Sequence, residues 1–158
     1  MLRTITEIFD AFRSTNAAGD DTRTVELAAA ILMVEVGVAD HDFSSDEEAA
    51  IRRILTGELG MTGEQAVEVM ASASREVEQA VGIQSFTRRL NEQWPEAQKV
   101  QLVRQLWHIA AADGRIDPHE EHRIRRIADL LYVPHVKFVR ARHDAERSAR
   151  KSARDTSG

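Results

Sequence analysis

Cysteine is absent from the 158 residues, so neither a disulfide framework nor a thiolate-bound metal is available. Aromatic residues make up only 5% of the chain, too few for the stacking platforms that hold single-stranded nucleic acid. No long apolar run occurs: the longest, Leu27 to Val34, falls far short of the ~20 residues that span a bilayer. The start, Met1-Leu2-Arg3-Thr4-Ile5-Thr6-Glu7, lacks an apolar stretch and a small-residue cleavage site, so the expected location is cytoplasmic. Nucleophile and nucleotide motifs (G-x-S-x-G, the P-loop, G-x-G-x-x-G) are also missing, which argues against an enzyme.

What is present reads as a folded domain. The apolar fraction of 42% and the charged fraction of 30% are those of a globular protein rather than a disordered one. The length suits one domain with a real core. The net charge of −5 is unevenly spread. From Arg140 onward, six basic residues face three acids, a net of +3, which leaves −8 on the rest of the chain. A body of that sign repels nucleic acid and favours cations or basic partners.

Every clear hydrophobic period is helical. Ile5, Ile8, Phe9 and Phe12 form a first amphipathic stripe, followed by a polar stretch from Ser14 to Asp21. From about Thr24 to Ala39 the chain is apolar almost all round, as a central helix is. Ser44 and Glu47 read as an N-cap with its capping-box partner, opening a helix that carries Ile51, Ile54 and Leu55 up to Gly57 and Gly60. Thr62 and Gln65 open another, with Ala66, Val69, Met70, Ala73 and Val77 on one face. A short segment around Phe86 to Leu90 follows, and Trp94-Pro95 punctuates the chain. Val100, Val103, Leu106, Trp107 and Ile109 to Ala112 then make a second central helix. Asp117 suits an N-cap, Pro118 the first helical position, and Ile124, Ile127, Ala128 and Leu131 a buried stripe. Pro134 opens a last helix holding Val136, Phe138 and Val139. The expectation is an all-α, single-domain bundle of seven or eight helices. Residues 1–21 form an N-terminal helix and linker, 22–144 the main domain, and 145–158 a charged, disordered tail.

One acidic signature occurs twice, 73 residues apart. The copies agree at Ala39/Ala112, Asp40/Asp113, Glu47/Glu120, Glu48/Glu121, Ile51/Ile124, Arg52/Arg125, Arg53/Arg126 and Ile54/Ile127. Self-similarity at a fixed offset indicates two half-repeats. The second copy, Asp113 to Glu120, resembles the back half of an EF-hand loop, with Asp-Gly at the turn and Glu seven residues after the Asp. The front half is missing, because the preceding ligand positions fall on Ile109 and Ala111. In the first copy His41 stands where the Gly would be.

Two readings of these acids compete. Glu at the third helical position belongs in a capping box, and acids in a first turn suit the helix dipole. Glu48/Arg52 and Glu121/Arg125 are i, i+4 pairs of a few tenths of a kcal/mol, roughly. Glu47 and Glu120, however, continue the buried stripes of their helices, and an inward-facing acid requires a partner or a cation. Asp40 and Asp113 end central helices, where the dipole disfavours negative charge. Both positions call for a compensating Arg, Lys or metal.

The fragment Ala110-Ala111-Ala112-Asp113-Gly114-Arg115-Ile116-Asp117-Pro118-His119-Glu120-Glu121, with the apolar helix ending in Trp107-His108-Ile109, resembles the tellurite-resistance TerB family. The duplicated loop and the helical pattern from Thr24 to Arg142 extend the resemblance over most of the chain. It implies a multihelical fold of two pseudo-symmetric halves and a cytoplasmic role in tellurite and chemical-stress responses beside membrane-embedded partners. It also implies acidic residues that bind a divalent metal cation. The family signature falls on Asp113, Gly114, Ile116, Asp117 and Glu120, and its degenerate counterpart on Asp40 and Glu47. His41 for Gly and Ser44 for Asp are departures in the first copy.

The candidate metal ligands are therefore Asp113, Asp117, Glu120, Asp40 and Glu47. His119 and His122 match no strong zinc spacing and read as surface residues; His108 reads as a hydrogen-bonded core histidine. Three acids interleaved in the basic tail, and a lack of apolar anchors, argue against contact with lipid or nucleic acid. The partners expected are proteins, in a membrane-associated complex or a homo-oligomer, with no nucleic acid and no membrane insertion. The alternatives are a helical interaction scaffold without a metal and, more weakly, a metal-dependent hydrolase.

Overall fold

A computed structural model describes residues 4–15, 21–39, 41, 43–78, 83–111, 116 and 118–156. Among these residues there are eight α-helices and no strand. They are α1 (Ile5–Thr15), α2 (Asp21–Ala39), α3 (Ser45–Arg53), α4 (Gly63–Glu78), α5 (Ile83–Gln93), α6 (Glu96–Ala110), α7 (Pro118–Leu130) and α8 (His135–Thr156).

Helix α2 forms the centre. Leu27 through Val34 is sealed from solvent on every face, which explains the all-round apolar composition. The small side chains of Ala28, Ala29 and Ala30 let neighbouring helices come close. Helix α2 packs against α4 and α6, and α6 in turn against α8. Phe9 of α1 meets the ring of Phe86 edge-on at 5.2 Å and lies 6.2 Å from that of Trp94, fastening α1 to α5. Arg89–Asp10 and Arg13–Gln93 join the same two helices at the rim. Among the described residues no helix is long and apolar enough to cross a membrane.

The local signals are met by specific hydrogen bonds. Ser44 is extended (φ −73°, ψ 159°), and its Oγ accepts the Glu47 N–H at 3.1 Å. Thr62 and Gln65 form a complete reciprocal box. The Thr62 N–H donates to Gln65 Oε1 at 2.9 Å, and the Gln65 N–H to Thr62 Oγ1 at 3.1 Å. Pro118 is the first residue of α7, and Ile124, Ile127, Ala128 and Leu131 are all buried.

The structure departs from expectation at two places, the end of α3 and the end of α8. Helix α3 does not run on to Gly57 but widens into a π-helical turn, Ile54–Glu58, in which the Leu59 N–H reaches Ile54 O at 3.0 Å. Gly60, at φ +68°, ends that turn in a conformation a side chain would strain. At the start of α8 the apolar residues split: Phe138 is buried with Ala141 and Ala145, whereas Val136 is 71% exposed and Val139 37%. Helix α8 also continues past Ala145 to Thr156; Ala145 is buried, and Arg142 pairs with Glu146 at 3.0 Å.

Candidate functional site

The two central helices are each followed by an acidic loop and a helix whose first turn carries the repeated Glu. Asp40, Asp113 and Asp117 lie outside the described residues, so the geometry bears on Glu47 and Glu120. His41 is described, and its φ of +54° is the left-handed conformation that a glycine would adopt there. Phe43 packs back over Gly37 of α2, so closely that a Cβ on Gly37 would lie 2.6 Å from the ring.

Glu47 is in the first turn of α3, and its carboxylate reaches across the bundle. Oε2 lies 3.5 Å from Nη1 of Arg123 in α7, with side-chain exposures of 15% and 2%. The pair is close enough to attract as charges and is too long for a strong hydrogen bond. Glu120, one turn before Arg123, is only 4% exposed. Positions 120, 123, 124, 127, 128 and 131 form one stripe at helical spacing. A carboxylate and a guanidinium thus occupy positions that the periodicity assigns to the core.

Arg123 is the residue that sequence reasoning passed over, although its spacing was the available signal. It falls three residues after Glu120 and four before Ile127, in a run of arginines that reads as solvated. Its counterpart in the first repeat is Ala50, which is buried. The two halves therefore differ at this register, and the arginine of the second half faces the glutamate of the first.

The outer acids behave as surface pairs. Glu48 meets Arg52 at 2.7 Å. Glu121 lies 3.8 Å from Arg125 but 2.8 Å from Arg142 of α8. The Arg142 guanidinium also stands 5.2 Å over the Trp107 ring, a cation–π contact that closes α8 over α6. His119 and His122 are exposed. Among the described residues no three His, Asp or Glu side chains converge as a metal would require.

A second titratable pair lies deeper. Glu35 of α2 is 4% exposed and bonds to Glu76 of α4. Burial first, then the charge and hydrogen bond of Glu76, push its carboxyl up to about 8. Glu76 Oε1 also accepts the Ile5 N–H at 3.1 Å, tying the start of α1 to the pair. His108 holds the same register in the second repeat as Glu35 in the first. It borders a cavity of about 520 Å³ with Glu26, Arg53, Glu58 and Gln105. Burial and then Arg104 lower its pKa, while Glu58 opposes them. Both central helices thus carry a titratable residue five positions before the loop aspartate, shifted toward its neutral form in each case.

The sequence model of a family described as "Tellurite resistance protein TerB" matches residues 26–143. The match spans α2 through the first part of α8 and leaves out α1 and the end of α8. Neither a curated protein nor a solved structure matches the chain.

Proposed function

Given that this chain belongs to the TerB family of tellurite-resistance proteins, we propose that it is a cytoplasmic, non-enzymatic stress-response component that presents an acidic site to a divalent cation. The site comprises the second loop, with Asp113, Asp117 and Glu120 as ligands. Asp40 and Glu47 form its weaker counterpart, and a basic protein partner is the other species the acids would accept. The observation that carries the reading is the burial of Glu120 in the first turn of α7, at the end of the repeated acidic segment. A carboxylate withdrawn from water needs compensating charge or donors, and hard oxygen ligands select calcium-like or magnesium-like ions.

The donor set fits unequally in the two halves. Glu47 already faces the Arg123 guanidinium, which competes with any cation for the same oxygens. The second loop carries the fuller family signature, and there Asp113, Asp117 and Glu120 would hold the ion, which would compete with the contact Glu120 already makes. The role of such an ion would be to neutralise the acidic side chains and set the charge of the surface offered to a partner.

Arg123 also favours a second reading, in which the chain is an interaction scaffold and the buried arginine is all the positive charge the acids need. Calorimetric titration with calcium, magnesium, zinc and manganese separates the two. The cation reading expects heat of binding with the wild type and its loss in Asp113→Asn/Glu120→Gln. A wild type that gives no heat and no thermal shift at millimolar metal leaves the scaffold.

A further inference from the structure

Helix α8 sorts its charges by face in a way the linear sequence hides. At about 100° per residue, Phe138, Ala141 and Ala145 point to the core, and all three are buried. Val136, Val139, Arg140, His143, Arg147, Arg150 and Lys151 fall within about 60° of the opposite direction, and all seven are exposed. Asp144 and Glu146 lie on the flanks and are spent there. Asp144 pairs with Arg104 at 3.4 Å, and Glu146 with Arg142 at 3.0 Å. Among the described residues, none of the basic side chains on the outward face has an ion-pair partner.

Asp144 and Glu146 border the basic row but are paired with Arg104 and Arg142, and Val136 and Val139 supply exposed apolar groups at one end of it.

We infer that the outward face of α8 is a peripheral docking surface for an anionic phospholipid bilayer. A straight row of cations with valines at one end suits a plane that offers headgroup charge and a shallow apolar layer. A nucleic-acid duplex supplies the charge but little to receive the valines. The negative remainder of the chain is repelled by the same plane, which orients the molecule with α8 toward it. Nothing in this surface depends on the acidic loops, so it stands or falls apart from the cation site.

Vesicle co-sedimentation of the full chain tests the surface. The protein pellets with phosphatidylcholine vesicles containing phosphatidylglycerol, stays in solution with phosphatidylcholine alone, and is released by high salt. Arg140→Gln/Arg147→Gln/Arg150→Gln weakens binding on the order of a hundredfold, and Val136→Ser/Val139→Ser weakens it several-fold. The arginine variant leaves the circular dichroism and melting temperature unchanged, because its altered side chains are exposed; the valine variant, whose Val139 is only 37% exposed, is assayed well below its own melting temperature. No pelleting at low salt overturns the inference, as does equal binding to neutral vesicles. So does a duplex DNA probe that binds more tightly than the anionic vesicles and displaces them.

Discussion

Replacing Arg123 by methionine removes the positive charge that faces Glu47 while keeping most of the apolar bulk of the stem. Breaking a buried pair by deleting one partner costs about 3–5 kcal/mol. Arg123 is 2% exposed, but Glu47 retains 15% and the two sit 3.5 Å apart, so water relieves part of the penalty and the low end applies, about 3 kcal/mol. For a domain of this size each kcal/mol moves the melting temperature by about 2–4 °C, giving a fall of about 6–12 °C. Urea denaturation followed by circular dichroism measures the loss directly. A double-mutant cycle then assigns it. Glu47→Gln/Arg123→Met is expected to recover on the order of 1–2 kcal/mol relative to the sum of the single changes. If Arg123→Met costs under about 1 kcal/mol, or the two changes simply add, the guanidinium does not compensate Glu47 and the electrostatic account of this end of the bundle is wrong.

The Glu35–Glu76 pair predicts a pH dependence with a definite sign. The folded Glu35 carboxyl is raised from 4.5 to about 8, so its stabilising contribution is complete below 4.5 and lost as pH rises through 8. The ceiling on that loss is roughly 5 kcal/mol. Urea midpoints between pH 5 and 9 should fall in the wild type and stay flatter in Glu35→Gln; parallel profiles would show that Glu35 is not the group responsible. Gly37→Ala adds a Cβ 2.6 Å from Phe43. Overpacking of about 1–3 kcal/mol outweighs the ~1 kcal/mol of helix propensity gained, so a net loss near 1 kcal/mol is expected. A stabilised variant would show that Phe43 yields freely.

Local chemistry made much of the fold legible. The caps at Ser44 and Thr62, the proline opening α7 and the stripe through Ile124, Ile127 and Leu131 are all set by neighbours within a turn or two. What sequence could not supply were relations across the bundle. Arg123 reads as surface until Glu47, 76 residues away in the chain, is brought beside it. Val136, Phe138 and Val139 cannot share one helix face, and only packing against α6 decides that Phe138 turns inward. The π-helical turn at Ile54 leaves no mark in the periodicity. At the candidate site the acidic pattern marked Glu47 and Glu120 as inward-leaning positions, because both continue a buried stripe; the arginine of the second half that faces the glutamate of the first came from a single Ala-to-Arg difference between the repeats.

The cation site itself is tested most directly by anomalous diffraction from crystals soaked in manganese. A peak bonded to Glu120 and the second-loop aspartates, and absent from Glu120→Gln crystals, is the expected result. Crystals soaked at millimolar manganese that show no peak there, with the Glu120 carboxylate spent on Arg123 and backbone amides, would contradict the account.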